Sequence, residues 1–289
     1  MEKRSLLPAS LGFSVDMMFW RGRHIMARFC TLFSGSEGNC TYVSCGDTSV
    51  LVDVGRSAKQ VLEAMEARGI DCKGLSALLI THEHSDHVKG IRAFLKKVPL
   101  PVYATPEVLE KLLWEQILTE SCPRIAIQEG IPFQVGSVEV HCFDIPHDSI
   151  HPVGYQFLLP DGRKIALATD MGFMCDSVRD TITGSDLVLL ESNYDPSMLS
   201  VSTYPYALKQ RIVSNLGHLS NDVCAKELAG LVRTGSTRLI LGHLSRRTNM
   251  PELAAYSARN SLQKAGMREN YDYRLWVAPR DEPMEMVVL

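Results

Sequence analysis

The sequence lacks a strong net charge of either sign. Its 30 Lys and Arg residues are balanced by 33 Asp and Glu residues, which leaves a formal net charge of −3 over 289 residues. A chain of this balance has no broad basic field to draw it to nucleic acid or to an anionic membrane. Any anionic substrate must therefore be held by local features of a binding site.

Long apolar runs are also absent, since no stretch approaches the ~18 residues that a membrane-spanning helix requires. Residues 1–25 begin with basic side chains but contain no apolar core with a small-residue cleavage site, so we predict no signal peptide. We predict that residues 1–25 are a poorly ordered N-terminal extension, and the alternative is that they result from a start codon assigned upstream of the native one. Residues 26–289 are predicted to form one domain, and no membrane insertion is expected.

Paired cysteines are missing as well. The eight cysteines form no CxxC motif, and none stands near a histidine at zinc-finger spacing. We interpret them as buried, reduced thiols, which behave as small apolar side chains. Reduced cysteines are typical of a reducing compartment, so we predict a cytoplasmic protein.

Strand and helix patterns are present along most of the chain, without internal repeats. Three short strands broken by Gly-rich turns are predicted over 27–55, then a helix that begins after Ser57 and ends at Gly69. Further strands are predicted over 75–81, 100–105, 135–147, 152–160, 163–170, 185–192 and 237–243, and at the C-terminus. Further helices are predicted over 86–97 and 105–116, and near 174–182, 203–214, 220–233 and 250–265. Two β-rich halves of this kind favour two sheets packed face to face with helices outside.

The stretch ITHEHSDHVKG, residues 80–90, crowds histidines and carboxylates behind a buried strand. His82 and His84 are two residues apart, so in an extended segment both rings project to the same side. Asp86 and His87 lie where the next helix begins and can face a second point nearby. The alternative is a solvated turn in which Asp86 only caps the helix. The spacing favours a metal site with room for two cations.

Later strand ends supply candidates for the remaining ligands. His147, Asp170 and His243 each follow a predicted strand, and His151 is the alternative to His147. A carboxylate such as Asp170 can bridge two cations, and two such cations sharing a hydroxide can activate it as a nucleophile. A ligand set of nitrogen and oxygen suits Zn²⁺, Mn²⁺ or iron.

Beyond these residues, the chain resembles the metallo-β-lactamase superfamily from about residue 27 to about residue 277. Within it, the chain is similar to the YycJ/WalJ/VicX type, with tRNase Z and RNase J as more distant relatives. The similarity is carried by the HxHxDH motif and by LFSGSEGNCTYV (32–43), PHDSIHPVGY (146–155), LLESNYDPSML (189–199) and GHLSND (217–222). It implies an α/β fold, a four-layer αββα sandwich of two mixed sheets, and a two-metal hydrolase centre.

The resemblance also implies where the ligands belong. It places one cation at His82, His84 and His147 and the other at Asp86, His87 and His243, with Asp170 between them. It implies a nuclease that degrades DNA from an end, with action at 5′ ends, and a functional link to a cell-wall two-component system.

Three departures distinguish the chain from tRNase Z and RNase J. Relatives of the tRNase Z kind carry a His before the Glu that ends the strand after the bridging aspartate, whereas this chain has Leu190 before Glu191. A long exosite arm is also missing, so tRNA 3′ processing loses support. No domain-sized insertion lies between Asp170 and His243, which disfavours an RNase J architecture.

Other polar residues are predicted to support the chemistry. Asp86 and His218 are the predicted catalytic residues, and His218 would provide the proton for the leaving oxygen, in analogy with the tRNase Z GH[ST] stretch. The alternative for His218 is capping or packing before the helix that begins after Ser220. Asp53 is predicted to hold the metal-binding loop from behind without being a ligand.

Four residues are predicted to contact substrate: Asn39, Glu191, Asn193 and Arg246. Asn39 belongs to a small-residue loop, 34–39, whose backbone can approach a ligand closely, although a plain hairpin turn explains that loop equally well. Arg246 and its neighbour Arg247 could anchor a phosphate or form an exposed, solvated pair.

Together these patterns predict a cytoplasmic two-metal phosphodiesterase, a nuclease acting on DNA ends. One alternative is a thioester or lactone hydrolase of the glyoxalase II kind on the same scaffold, because fold and metal site do not determine the substrate. The other is a metal-binding regulatory module without enzymatic activity.

Overall fold

Two seven-stranded sheets organise residues 26–289, the part of the chain that the structure, a computed structural model, describes. The first sheet contains β1 (Ala27–Phe33), β2 (Cys40–Cys45), β3 (Thr48–Val52), β4 (Ala77–Leu79), β5 (Val102–Ala104), β6 (Arg124–Ala126) and β14 (Val287–Val288), in the order β14-β1-β2-β3-β4-β5-β6. The predicted extension over 1–25 lies outside the described residues, and the single domain over 26–289 stays a prediction.

The second sheet is built from the middle and the end of the chain. It contains β7 (Phe133–Val135), β8 (Val138–Asp144), β9 (Val153–Leu158), β10 (Lys164–Ala168), β11 (Leu187–Glu191), β12 (Arg238–Gly242) and β13 (Arg274–Val277), in the order β13-β12-β11-β10-β9-β8-β7. Strands β3 to β6 are parallel, and so are β10 to β13. Within each parallel set, the carboxyl ends therefore meet at one edge.

Helices connect the parallel strands. They are α1 (Ala58–Ala67), α2 (Ser85–Val88), α3 (Ile91–Lys97), α4 (Pro106–Trp114), α5 (Asp176–Ile182), α6 (Pro196–Val201), α7 (Tyr206–Val213), α8 (Asn221–Arg233) and α9 (Pro251–Lys264). Ser57 caps α1 in a capping box with Gln60, as its position predicts. Among the described helices, none combines the length and the apolar character needed to cross a membrane.

Several short elements differ from the sequence prediction. The helix predicted over 86–97 is broken into α2 and α3 at Gly90, whose amide donates to Val54 O at 2.9 Å. A Cβ at position 90 would lie 1.9 Å from Arg56 O, so only glycine permits this close approach. The strand predicted over 135–147 is a hairpin, β7 and β8, which turns at Gly136 with φ of 57°.

The two sheets pack face to face, as predicted. One large cluster of buried side chains combines Phe29 and Leu51 of the first sheet with Tyr155 and Phe157 of the second. A second cluster fills the space between the second sheet and helices α5, α8 and α9. All eight cysteines are free thiols. The layers run helix, sheet, sheet, helix, which confirms the predicted αββα arrangement.

A buried hydrogen bond ties the two sheets together beside the strand ends, where Tyr155 donates its hydroxyl to Ile80 O at 2.6 Å. We expect Tyr155→Phe to lower the free energy of unfolding by about 1–2 kcal/mol, because Ile80 O loses a buried donor. Tyr256 is 68% exposed, and Tyr256→Phe is the matched control. Urea denaturation of both variants measures the difference, and equal stabilities would contradict this role of Tyr155.

Candidate metal centre

The candidate site lies where strands of both sheets end. His82 and His84 follow β4 by a few residues, and Asp86 and His87 lie in α2. Asp170 lies two residues after β10 and His243 directly after β12, and both strands are neighbours of β11 in the second sheet. The two edges are joined by a hydrogen bond from Val153 N to Thr81 O of 3.0 Å. Side chains separated by about 160 residues therefore face one another.

Three imidazoles form the first group. The ligand atoms of His82, His84 and His147 all lie within 4.8 Å of one another. His147 Nε2 is 3.3 Å from His84 Nδ1, and His147 Nδ1 donates to Gly217 O at 3.0 Å. Because a carbonyl oxygen can only accept, the proton of the neutral His147 ring lies on Nδ1, and the lone pair on Nε2 can bind a cation.

Two carboxylates and two imidazoles form the second group, and their ligand atoms also lie within 4.8 Å of one another: Asp86, His87, Asp170 and His243. Asp170 Oδ2 is 3.4 Å from His87 Nε2, and Asp86 Oδ2 is 3.5 Å from His243 Nε2. The other oxygen of Asp170 is 4.0 Å from His147 Nε2 of the first group. Asp170 therefore lies between the groups, where a bridging carboxylate has to be.

Unpartnered polar atoms show that this arrangement fits a divalent cation. Among the described residues, His82 Nε2, Asp170 Oδ2 and His243 Nε2 are buried and have no hydrogen-bond partner. Buried polar atoms without partners are rare because they cost free energy. Imidazole nitrogen and carboxylate oxygen are also the donors that zinc and manganese accept.

The ionisation of the site is strongly perturbed. Burial, reinforced by the neighbouring His87, holds the pKa of His82 well below its ordinary value, so the His82 ring is neutral. Burial opposes a charge on His243, but Asp170, Asp86 and Glu191 outweigh it and raise its pKa to about 10. His243 thus holds a proton that a cation would displace.

Asp53 supports the second group from behind. Its Oδ2 accepts from His87 Nδ1 at 2.8 Å and from the Thr81 hydroxyl at 2.8 Å, while its Oδ1 accepts from the Thr81 backbone amide at 2.9 Å. The carboxylate holds the Nδ1 side of the His87 ring, so that Nε2 faces the site. Thr81 was not predicted from the sequence, and its only signal was a hydroxyl directly before the histidine motif.

Glu191 and Asn193 do not lie at the rim, in contrast to the prediction that they contact substrate. Glu191 is 0% exposed and Asn193 2% exposed, because β11 is flanked on both sides by neighbouring strands and its end is covered by the loops around 171 and 219. Glu191 accepts from His218 Nδ1 at 2.8 Å and from His243 Nδ1 at 2.9 Å. Asn193 donates to His243 O at 2.9 Å. Both residues position histidines.

Of the other predicted residues, some lie within the site and others lie outside it. His218 lies beside both groups, with its ring 5.2 Å from that of His147 and 5.3 Å from that of His243. Asn39 Nδ2 lies 3.0 Å from His87 Nε2, also within the site. His151, the alternative to His147, instead binds Glu107 and Asp144 at the surface, and Arg247 lies over the Tyr204 ring.

Three residues of the site have a left-handed backbone. Asp53, Asp170 and His243 have φ of 62°, 63° and 55°, and only two other non-glycine residues of the described chain have positive φ. This conformation is unfavourable for residues with a Cβ and is maintained only where the surrounding structure enforces it. The strand ends are therefore bent so that these side chains turn toward the site.

We expect Asp53→Asn to weaken zinc binding about 10- to 100-fold, because His87 loses the carboxylate that orients its ring. Asp47→Asn changes an exposed carboxylate in the same way and serves as the matched control. Equilibrium titration of the metal-free protein with zinc measures both affinities. Unchanged affinity in Asp53→Asn would contradict the supporting role.

Comparisons with known proteins agree with this geometry. Residues 48–244 match the family described as the Beta-lactamase superfamily domain. The chain is 36% identical over 241 residues to Exodeoxyribonuclease YycJ of Bacillus anthracis, covering 82% of this chain and 90% of the relative. It is 31% identical over 251 residues to Exodeoxyribonuclease WalJ of Streptococcus pneumoniae, covering 86% of this chain and 93% of the relative.

A solved structure has the same fold. The metallo-beta-lactamase fold protein YhfI of Bacillus subtilis superimposes with a TM-score of 0.70 at 16% identity, covering 92% of this chain and all of that one. These similarities confirm the resemblance and the fold class that the sequence predicts. The chain belongs to the beta-lactamase superfamily and is a metal-dependent hydrolase.

Proposed function

We propose that the protein is a two-metal phosphodiesterase that degrades DNA from an end, with action at 5′ ends. The observation that carries this proposal is the convergence of the two ligand groups on Asp170, with buried ligand atoms that have no other partner. Two relatives that cover most of the chain are named as exodeoxyribonucleases, which supports DNA as the substrate.

The ligand groups would hold two divalent ions, Zn²⁺ or Mn²⁺, with iron as a further candidate. His82, His84 and His147 would bind one ion, and Asp86, His87 and His243 the other, with Asp170 shared. When bound, the two ions supply a hydroxide nucleophile and neutralise charge on the phosphate. Asn39, whose amide reaches His87 and Asp86, would contact the substrate at the second group.

His218 is suited to give a proton to the leaving oxygen. Its Nδ1 is bound to Glu191, which can only accept as a carboxylate, so a protonated ring presents its second proton on Nε2. Burial disfavours the charge on Glu191, but His218 and His243 outweigh it and keep the pKa of Glu191 below its ordinary value. Glu191 thus stays ionised and holds the Nδ1 proton of His218 in place. The side chain of His218 is 12% exposed and can still be reached from outside.

A substrate panel tests the proposal. Purified protein is loaded with manganese or zinc and incubated with 5′- and 3′-labelled DNA, single- and double-stranded, and with thioester and lactone substrates. We expect release of mononucleotides from DNA and no turnover of the small esters. Rapid thioester hydrolysis without DNA cleavage would replace the proposal with the glyoxalase II-like alternative.

His82→Ala and Asp170→Ala are expected to reduce DNA cleavage to background, since each removes a ligand while the sandwich remains folded. His141 lies on β8 and binds Glu139, so His141→Ala is the control for loss of an imidazole outside the site. Circular dichroism verifies the fold, and elemental analysis verifies the loss of metal. Cleavage that persists in both ligand variants would contradict the metal mechanism.

His218→Ala is expected to lower kcat on DNA by about 10²–10⁴-fold, the usual contribution of a general acid. Bis(4-nitrophenyl) phosphate should be affected far less, because its leaving group departs without a proton. Metal content should be unchanged. If both substrates lose the same factor, His218 is not the proton donor.

A further inference from the structure

Beside the metal centre, two arginines from separate parts of the chain meet at one carboxylate. Asp281 accepts from Arg56 at 2.8 Å and from Arg246 at 2.6 and 2.7 Å. Glu37 lies 2.9 Å from Arg246 and 3.9 Å from Arg56. We name Arg56, Arg246 and Asp281 the arginine clamp.

Arg56 is held rigidly in the clamp. Its guanidinium lies over the Phe33 ring at 5.6 Å, and its side chain is only 14% exposed. A Cβ at Gly38 would lie 2.6 Å from Arg56 Nε, so glycine lets the loop pass directly over this side chain. Arg56 Nε is buried and has no hydrogen-bond partner, which leaves a donor of this guanidinium unused.

Asp281 is also held in place, by the backbone around it. Arg280 donates to Ser245 O at 2.9 Å, and the Met284 amide donates to Thr31 O at 3.0 Å. The segment that carries Asp281 is therefore anchored on both sides. The Asp281 side chain nevertheless stays 50% exposed, so a solvent ligand can reach the position between the two arginines.

The surroundings of the clamp are positive, unlike the chain as a whole. Arg56, Arg246 and Arg280 line one small cavity together with Glu37, and Asp281 accepts from the first two arginines. Three guanidinium groups thus meet two carboxylates in a protein whose net charge is −3. This is the local feature that an anionic substrate requires when the global field is weak.

The clamp adjoins the metal centre through short connections. Arg246 is three residues after His243, and Arg56 is three residues after Asp53, so each lies within roughly 11 Å of a residue of the site, measured between Cα atoms. Ser36, in the loop beneath the clamp, lies 3.5 Å from Asn193, which binds His243. One loop therefore contacts both places.

We propose that the arginine clamp binds a second phosphate group of the substrate, one adjacent to the phosphodiester at the metal centre, and that Asp281 occupies this phosphate position in the free protein. This proposal rests on the proposed phosphodiesterase function. Two guanidinium groups facing one anion match the bidentate geometry that arginine uses for phosphate.

The ion pairs of the clamp are suited to exchange. Arg246 and Asp281 are about half exposed, and exposed pairs of this kind are worth little. A phosphate carries more charge and more acceptor atoms than a carboxylate, so it competes well for the same donors. A DNA strand presents a phosphate about every 3.4 Å of helix axis. A strand bound at the metal centre therefore places further phosphates near the clamp.

Cleavage of two kinds of dinucleotide tests this inference. One is a thymidine dinucleotide whose only phosphate is the phosphodiester, and the other carries an additional phosphate at its 5′ or 3′ end. We expect the unaltered protein to prefer one phosphorylated form, and Arg56→Lys and Arg246→Lys to reduce this preference about tenfold, because lysine loses the bidentate contact. The preference is measured as the ratio of kcat/KM for the phosphorylated dinucleotide to kcat/KM for the plain one.

Arg259→Lys is the matched control. Arg259 lies on the outer helix α9, pairs with Glu269 and is not part of the clamp. Asp281→Asn removes the competing charge, so it should lower KM for the phosphorylated dinucleotide. A preference that survives in both clamp variants, or a rise of KM in Asp281→Asn, would overturn the inference.

Binding of inorganic phosphate to the metal-free protein separates this inference from the proposed function. Calorimetry should show tighter binding in Asp281→Asn and weaker binding in Arg246→Lys than in the unaltered protein. If neither dinucleotide is cleaved but this order holds, the phosphodiesterase proposal fails and the clamp stands. If both dinucleotides are cleaved equally and phosphate binding does not follow this order, the clamp fails and the phosphodiesterase stands.

Discussion

The structure depends on one constraint: five imidazoles and two carboxylates are crowded at one edge of the sandwich. Some of their buried nitrogen and oxygen atoms have no hydrogen-bond partner. The rings of His82 and His87 lie 4.1 Å apart, and three nitrogen or oxygen atoms of this cluster are buried without a hydrogen-bond partner. Such a cluster is costly unless a cation completes it. The surrounding fold is the frame that keeps these polar groups together, although burying them without partners costs free energy.

That frame has two layers. Directly behind the site, Asp53 and Glu191 each accept from a histidine that faces the cluster, and they fix which ring nitrogen is free. Beneath them, left-handed backbone at Asp170 and His243 turns the side chains inward at the ends of parallel strands. Glu191 also contacts His218, so one buried carboxylate joins the candidate ligand His243 to the proposed proton donor.

Much of this arrangement could be predicted from the sequence, because chemistry and periodicity agree there. The candidate ligands were predicted without structural information. They were indicated by the HxHxDH motif after a buried strand and by polar residues at later strand ends. Glu191 and Asn193 were misplaced at the rim, since a strand end alone does not reveal that loops from elsewhere cover it. The break at Gly90 and the clamp at Asp281 depend on contacts between distant segments, which no local pattern records.

The most direct test of the account is anomalous diffraction from crystals grown with manganese or zinc. We predict two peaks per chain, roughly 3.5–4 Å apart as in other two-metal sites. One should lie among His82, His84 and His147 and the other among Asp86, His87 and His243, with Asp170 touching both. A single peak, or peaks away from these side chains, would contradict the central claim that the strand ends converge to hold a pair of cations.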